Sequence, residues 1–493
     1  MNRQQMIQQL ESTFEWDVCI IGGGATGLGT ALDAASRGFK TILFEQGDFA
    51  KGTSSRSTKL VHGGVRYLQQ GNIKLVMEAL RERGLLLKNA PHIVHNQKFV
   101  VPNYKWWEKT FYGIGLKIYD KMAGKLGLGP SQFLSKEETL QLAPTLDPED
   151  LKGGVLYHDG QFDDARLAIS IAQTAAQHGA SLLNYFPVSG LLKMNNKVCG
   201  VWVKDELTGK DYEVKSKVVI NATGVFTDAI MKMDDAKHES IISPSQGIHL
   251  VVDKEFLPGD TAIMIPKTDD GRVLFAVPWH NKIVLGTTDT PIIDISAEPI
   301  PQQDEIEFIL KHIGRYLSKD PQLSDVRSMF AGLRPLVKGK TKLTAALSRD
   351  HLISIGHSGL ITITGGKWTT YRKMAEDVVD IAMKTFNLPD KPCITKNLRL
   401  SGHDNPVLPA EIISLSESVL KEILKKSIQE EMCMTVEDFL SRRTRQLLLN
   451  ASEAIKAAPL VAKLMADEMN KEENWIKEQI DNFNSIAKNY LPT

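Results

Sequence analysis

The chain has little that would tie it to a metal, an oxidising compartment or the interior of a membrane. Its 493 residues include only four cysteines, Cys19, Cys199, Cys393 and Cys433. None forms a C-x-x-C pair, and their wide spacing fits neither a zinc site nor a disulfide framework, so they read as reduced thiols of a cytosolic protein. Cys19 lies in an apolar run and reads as a small buried residue. No stretch approaches the roughly 20 apolar residues that cross a bilayer. Met1 to Glu15 lacks the apolar centre of a signal peptide. The expectation is a protein that is soluble or held at a membrane surface. Net charge is also absent, with Lys+Arg and Asp+Glu at 59 each, which argues against a nucleic-acid partner while leaving room for a local basic patch. There is no internal repeat and no low-complexity segment. What remains, 42% hydrophobic and 24% charged residues, is ordinary for a globular protein. The length suggests roughly two to four domains.

Residues 16–45 carry the strongest local signal. Asp17 to Ile21 reads as a short buried strand, Gly22 to Gly27 as a glycine turn, Leu28 to Arg37 as a helix ended by Gly38, and Lys40 to Glu45 as a second strand. This order implies a parallel sheet. In Gly22-x-Gly24-x-x-Gly27, the first glycine permits the tight turn, the second lets a pyrophosphate approach the backbone, and the third lets helix and strand pack closely. The helix N-terminus offers N–H groups and partial positive charge to phosphates. Glu45, 18 residues after Gly27, can accept hydrogen bonds from both ribose hydroxyls of an adenosine and would repel a 2′-phosphate. FAD and NAD share this fingerprint. Two features favour FAD: the hydroxyl-rich loop Gly52 to Ser57, and a late strand–glycine–helix segment, Ile361 to Thr370, whose second contact suits a long, extended cofactor.

The middle of the chain returns to strand patterns, Val198 to Lys204 and Tyr212 to Asn221, closing on Ala222-Thr223-Gly224. The β-rich runs of residues 245–290 suit an antiparallel sheet that floors a substrate pocket, and residues 303–317 read as helical. From about Pro389 the character changes, and residues 408–490 are almost continuously helical in pattern.

At this point the residues become recognisable. Ser54 to Tyr67 (SSRSTKLVHGGVRY) resembles the hallmark segment of FAD-dependent, quinone-linked glycerol-3-phosphate dehydrogenases. Gly286-Thr287-Thr288-Asp289, Gly332 to Leu336, Ser348-Arg349-Asp350, Gly365 to Arg372 and, in the helical part, Thr435 to Thr444 resemble further motifs of that family, in the right order from about residue 16 to 465. The resemblance implies an α/β fold: a glutathione-reductase-like FAD-binding Rossmann domain, a β-rich substrate domain and a C-terminal α-helical domain. The expected boundaries are 1–95, 150–240 and 345–385 for the discontinuous FAD domain, 96–149 and 241–344 for the substrate domain, and 388–493 for the helical cap. Expected cofactor contacts are Gly22, Gly24, Ala25, Thr26, Gly27, Glu45, Thr53, Ser54, Ser55, Lys59, Leu60, His62, Gly63, Gly64, Gly224, Gly366, Lys367, Trp368 and Thr369. No metal site is expected.

The implied reaction is oxidation of sn-glycerol 3-phosphate to dihydroxyacetone phosphate, with electrons passed to a membrane quinone. Arginine suits the dianionic phosphate because its planar fork donates paired hydrogen bonds and keeps its charge. Arg66, Arg334 and Arg349 match substrate-site positions of the family, with Tyr67, Asp289 and Thr369 beside them. His249 is the candidate base, since histidine titrates near neutrality, though a histidine that only hydrogen-bonds substrate or core fits equally. His62 is the other candidate. Lys367 would set a positive charge near the flavin edge that becomes negative on reduction. Family oxidases that use oxygen are longer, with an inserted segment for which this chain has no room, so a dehydrogenase is the better reading; an amino-acid or 2-hydroxy-acid flavoenzyme is the further alternative. A lipid-dissolved acceptor implies contact with the inner face of the cytoplasmic membrane. Residues 104–125, with Trp106, Trp107, Phe111 and five Lys against one Glu and one Asp, suit a bilayer interface or, alternatively, an amphipathic helix packed into the core. The oligomeric state is open, a homodimer included.

Overall fold

The structure is a computed structural model and describes residues 1–64, 72–338, 351–403 and 409–492. Trp16–Ile21 is a central strand with parallel neighbours on both sides, Asp211–Asn221 and Thr41–Phe44. Five of its six residues are buried, so side chains on both faces are covered and the strand reads as a continuous apolar run instead of alternating. Ser181–Leu183 extends the sheet beyond Thr41–Phe44. Ile361–Gly365 and His351–Ile355 extend it on the opposite side, and Lys197–Lys204 and Val188–Met194 form an antiparallel arm. The helices Ala25–Ser36, Asp164–Gln177 and Tyr371–Thr385 pack around this core. The first of them begins at Ala25, three residues earlier than its apolar pattern indicates, so its opening turn belongs to the glycine loop itself.

The second sheet has ten strands. Its spine is the long antiparallel pair Ile242–Asp253 and Val326–Val337, which sets Ser245 opposite Arg334 and His249 opposite Phe330. Alternation sorts the first of these strands: Ile248, Leu250 and Val252 enter one apolar cluster with helix Gln303–Gly314, while Val251 joins the cluster of the C-terminal helices. Gly153–Phe162, within the segment expected in the FAD domain, is instead hydrogen-bonded along its length to Val94–Asn103 and carries Leu60–Val61 on its other edge, so it belongs to this second sheet.

The cap also departs from expectation. Residues 388–403 do not join it: Leu398 and Leu400 pack into the dinucleotide core, and Leu400 N donates to Asn89 O at 2.9 Å. Its helices Glu417–Glu431, Ala451–Met469 and Glu473–Ala487 are long, but between the first two the chain breaks into Val436–Asp438, a π-helical turn Phe439–Arg443, and Gln446–Leu449. The cap sits on the second sheet through Val251, Trp279, Val284 and Phe330. Among the described residues no helix is long and apolar enough to cross a membrane. All four cysteines are free.

Candidate active site

The glycine loop forms a cradle. Gly22 has φ +109°, and a Cβ at Gly27 would lie 1.8 Å from Gly22 O, so helix and turn are in contact at a distance only glycine allows. Gly24 is the N-cap of helix Ala25–Ser36 and has no side chain to cap it, which leaves its opening amides available to an anion. Ala25 N is already met by Ser54 Oγ at 2.9 Å, which locks the hydroxyl loop against the glycine turn. Trp368 Nε1 donates to Ser54 O at 2.9 Å, so the late glycine segment closes on the same loop across 314 residues. Gly22, Gly24, Ala25, Thr26, Glu45, Thr53, Ser54, Gly224, Gly366, Lys367 and Trp368 line one elongated cavity of about 770 Å³, together with Lys51 and Tyr185, which sequence reading did not single out. Glu45 accepts from Gly23 N at 2.6 Å and Gly47 N at 2.9 Å. Burial pushes its carboxyl above the usual range, and these two amides pull it back. An uncapped helix start, an acid at the ribose position and a hydroxyl loop at mid-length fit an extended FAD, whose diphosphate would lie at Gly24 to Thr26 and whose flavin end would reach Gly366 to Trp368.

Beside it lies a second cavity of about 570 Å³, lined by Thr58, Leu60, His62, Gly64, Thr287, Thr288, Asp289 and Arg334 at one side and by Phe111, Tyr112, Ile114 and Ile118 at another. Arg334 and the adjoining Pro335 lie on the two cavities respectively, so the pockets meet at this strand. The Arg334 guanidinium donates to Gln246 O at 3.2 Å, Thr287 Oγ1 at 3.1 Å, Thr288 O at 2.8 Å and Asp289 Oδ1 at 3.3 Å. Ser245 Oγ also donates to Asp289. A Cβ at Gly247 would fall 2.1 Å from Arg334 Nη2, so the glycine makes room for the arginine. Below, the buried Glu305 accepts from Gln246 Nε2, Thr288 Oγ1 and Thr290 Oγ1, each at 2.7 Å, and thereby fixes the segments whose carbonyls hold Arg334.

The expected contacts His249, Lys59, Thr369, Gly63 and Ser55 fall outside the walls of both cavities. His249 does not line either cavity; it is buried, stacks on Phe330 at 4.9 Å and reaches the pocket through Thr58 Oγ1, 2.9 Å from its Nε2. Burial, reinforced by Lys59 and Arg334, drives its pKa well below the ordinary value, so it does not titrate near neutrality. The Lys59 ammonium is fully buried on Asp164 at 2.8 Å and is not offered to a cofactor. Thr369 is buried, its hydroxyl bonded to the His62 backbone N–H at 3.2 Å, a clasp between the two motifs. Gly63 and Ser55 are likewise supports: Gly63 N donates to Tyr119 Oη at 2.7 Å, and Ser55 O accepts from Lys59 Nζ at 2.7 Å. Arg66, Tyr67 and Arg349 lie outside the described residues. Sequence reading missed Thr58, Thr287 and Glu305. The first two stand inside motifs it had marked; Glu305 carried no signal beyond its helix.

The helix Glu108–Ala123 turns Leu116 and Tyr119 inward, while Trp106, Phe111, Ile114 and Ile118 are 85%, 54%, 55% and 49% exposed. Lys105, Lys117, Lys121 and Lys125 are exposed alongside them. Of the aromatics in this segment, Tyr112 and Tyr119 pack into core clusters, while Trp106, Trp107 and Phe111 stay outside.

The family of FAD-dependent oxidoreductases matches residues 17–372, and the C-terminal domain of alpha-glycerophosphate oxidase matches residues 410–476. The mitochondrial glycerol-3-phosphate dehydrogenase of Macaca fascicularis is 40% identical over 99% of this chain and 75% of its own. That of Schizosaccharomyces pombe is 36% identical over 99% of this chain and 89% of its own. The crystal structure of the glycerol-3-phosphate dehydrogenase from Bacillus halodurans complexed with FAD superposes with a TM-score of 0.80 at 30% identity, covering 99% of this chain and 97% of that one. The cradle and these matches agree: the chain is an FAD-dependent enzyme and belongs to the glycerol-3-phosphate dehydrogenase family of FAD-dependent oxidoreductases.

Proposed function

We propose that this enzyme oxidises the C2 hydroxyl of sn-glycerol 3-phosphate to the ketone of dihydroxyacetone phosphate and passes the electrons to a quinone at a membrane surface. The observation that carries the reading is the Arg334 guanidinium, held rigidly at the floor of a cavity that abuts the FAD cradle. Gln246, Thr287, Thr288 and, at 3.3 Å, Asp289 position its planar fork, and a fixed guanidinium of this kind suits a dianionic phosphate. Bound FAD supplies the hydride acceptor. Arg334, with Arg66 and Arg349, would anchor the phosphate. The neutral His249 is ready to take the hydroxyl proton through the Thr58 hydroxyl. Lys367, in the cofactor cavity, would balance negative charge developing on the flavin. For electron exit, the second cavity runs from these polar groups to Phe111, Ile114 and Ile118, the same side chains that form the exposed apolar face. An apolar acceptor dissolved in a bilayer could approach by that path, with the exposed lysines favouring anionic headgroups.

The test is an anaerobic absorbance spectrum before and after adding sn-glycerol 3-phosphate. Bleaching of the flavin bands with this substrate and not with glycerol supports the reading. Bands that persist, and bleach instead with an amino acid or 2-hydroxy acid, overturn it. A second reading, transfer to dioxygen with release of hydrogen peroxide, is favoured by the match of residues 410–476 to the oxidase C-terminal domain. Oxygen uptake under turnover, with and without a short-chain quinone, separates the two.

A further inference from the structure

The Thr435 to Thr444 motif has no part in the chemistry above, yet its side chains converge on the loop that borders the FAD cavity. Asp48 is fully buried in the loop between Glu45 and Ser54, most of which lines the FAD cavity. Its Oδ2 accepts from Arg442 Nε at 2.5 Å and Arg443 Nη1 at 2.6 Å, and its Oδ1 from Arg443 Nη2 at 2.8 Å. Lys51, on the cavity wall, donates to Glu437 at 2.6 Å, and Glu437 accepts from Arg442 at 2.7 Å. Tyr185, also on the wall, donates to Asp438 Oδ1 at 2.6 Å. Near the C-terminal end of the cap, Tyr490 Oη donates at 3.3 Å to Glu298, which also pairs with Arg56.

Buried charges are a costly way to join two surfaces, and apolar groups of similar volume commonly do it as well or better. The cap already has such a contact, on Val251, Trp279, Val284 and Phe330 of the second sheet. The ionic groups are instead directed at the cofactor loop. We propose that the helical cap is a cofactor-retention device: the Glu437, Arg442 and Arg443 side chains hold the Glu45–Ser54 loop in its FAD-binding shape, so that cap contacts set the rate at which FAD leaves. Glu437 acts here as a positioning residue.

The sign of one substitution separates this from simple electrostatics. Glu437→Gln removes a negative charge near an anionic diphosphate and leaves Lys51 with only its 4.0 Å contact to Glu298 as an ion pair; charge alone predicts tighter FAD. The clamp predicts looser FAD, with release from the holoenzyme, read as free-flavin fluorescence below the unfolding temperature, about tenfold faster, within the usual range of coupling between two parts of a protein. Release that is unchanged or slower overturns the proposal. So does release that accelerates only in step with a lowered circular-dichroism midpoint, since the network would then merely hold the cap on. Should Glu437→Gln fail to fold, Tyr490→Phe keeps the ring and deletes only the bond to Glu298. Faster release from that variant at an unchanged midpoint supports the clamp, and unchanged release overturns it.

Discussion

Gly247→Ala is the substitution whose effect can be worked most directly from the geometry. The added methyl would lie 2.1 Å from Arg334 Nη2, 2.6 Å from Arg334 Cζ and 2.6 Å from Thr287 Oγ1. All are side-chain atoms, and the guanidinium is the end of a flexible chain, so the fold should survive while Arg334 is displaced. Overpacking of this kind costs about 1–3 kcal/mol of stability at most, because the arginine yields. The functional cost is larger in effect. A charge-assisted hydrogen bond contributes about 1.5–3 kcal/mol, so losing one to the substrate phosphate lowers kcat/KM roughly 10- to 150-fold. The loss should appear mainly as a raised KM for sn-glycerol 3-phosphate, in an anaerobic assay with an artificial acceptor, with the flavin still bound. Arg334→Ala should do the same. The decisive measurement is the double variant: if the methyl acts only by moving Arg334, Gly247→Ala adds nothing in the Arg334→Ala background. Additive losses, or an unchanged KM in either single variant, would refute the assignment of Arg334 to the phosphate.

Glu305→Gln should raise the same KM roughly tenfold, because only one acceptor oxygen remains, so either the Gln246 amide or the Thr288 and Thr290 hydroxyls lose their partner, while FAD affinity stays constant; a raised KM accompanied by equal loss of flavin would mean a general collapse instead. Replacing Trp106 and Trp107 together by Ala should weaken binding to anionic vesicles roughly tenfold or more in a sedimentation assay, with salt weakening the remainder, and equal binding by the variant would reject this face. His249 has a pKa depressed in the folded state, so the unfolded chain binds more protons below its ordinary value of about 6.5. Stability should therefore fall as pH drops below about 6.5, and His249→Asn should flatten that slope in denaturant titrations; a slope identical to that of the parent would show that this histidine is not held neutral.

The sequence by itself determined the dinucleotide half of the protein. Strand, glycine turn, helix and acid all lie within residues 16–45, so their geometry is set by local backbone preferences and by contacts among near neighbours. The same holds for the motif glycines, whose lack of Cβ is visible in the letters. Domain edges were less legible. Gly153–Phe162 follows the second sheet because of partners some sixty residues away, and residues 388–403 return to the first core through Leu398 and Leu400, which no pattern announces. Heptad spacing likewise ran helix through 436–449, where Arg442 and Arg443 turn aside to reach Asp48, almost four hundred residues earlier. Only the tertiary structure decided protonation and access. A histidine's letter carries its pKa in water, and it is burial against Phe330, reinforced by the charges of Lys59 and Arg334, that keeps His249 neutral and leaves Thr58 as its link to the pocket. The aromatic and lysine content of residues 104–125 fits a membrane face or a core helix equally, because amphipathicity fixes the two sides of a helix but not which side the rest of the protein covers; here the fold covers Leu116 and Tyr119 and leaves Trp106, Phe111, Ile114 and Ile118 outside.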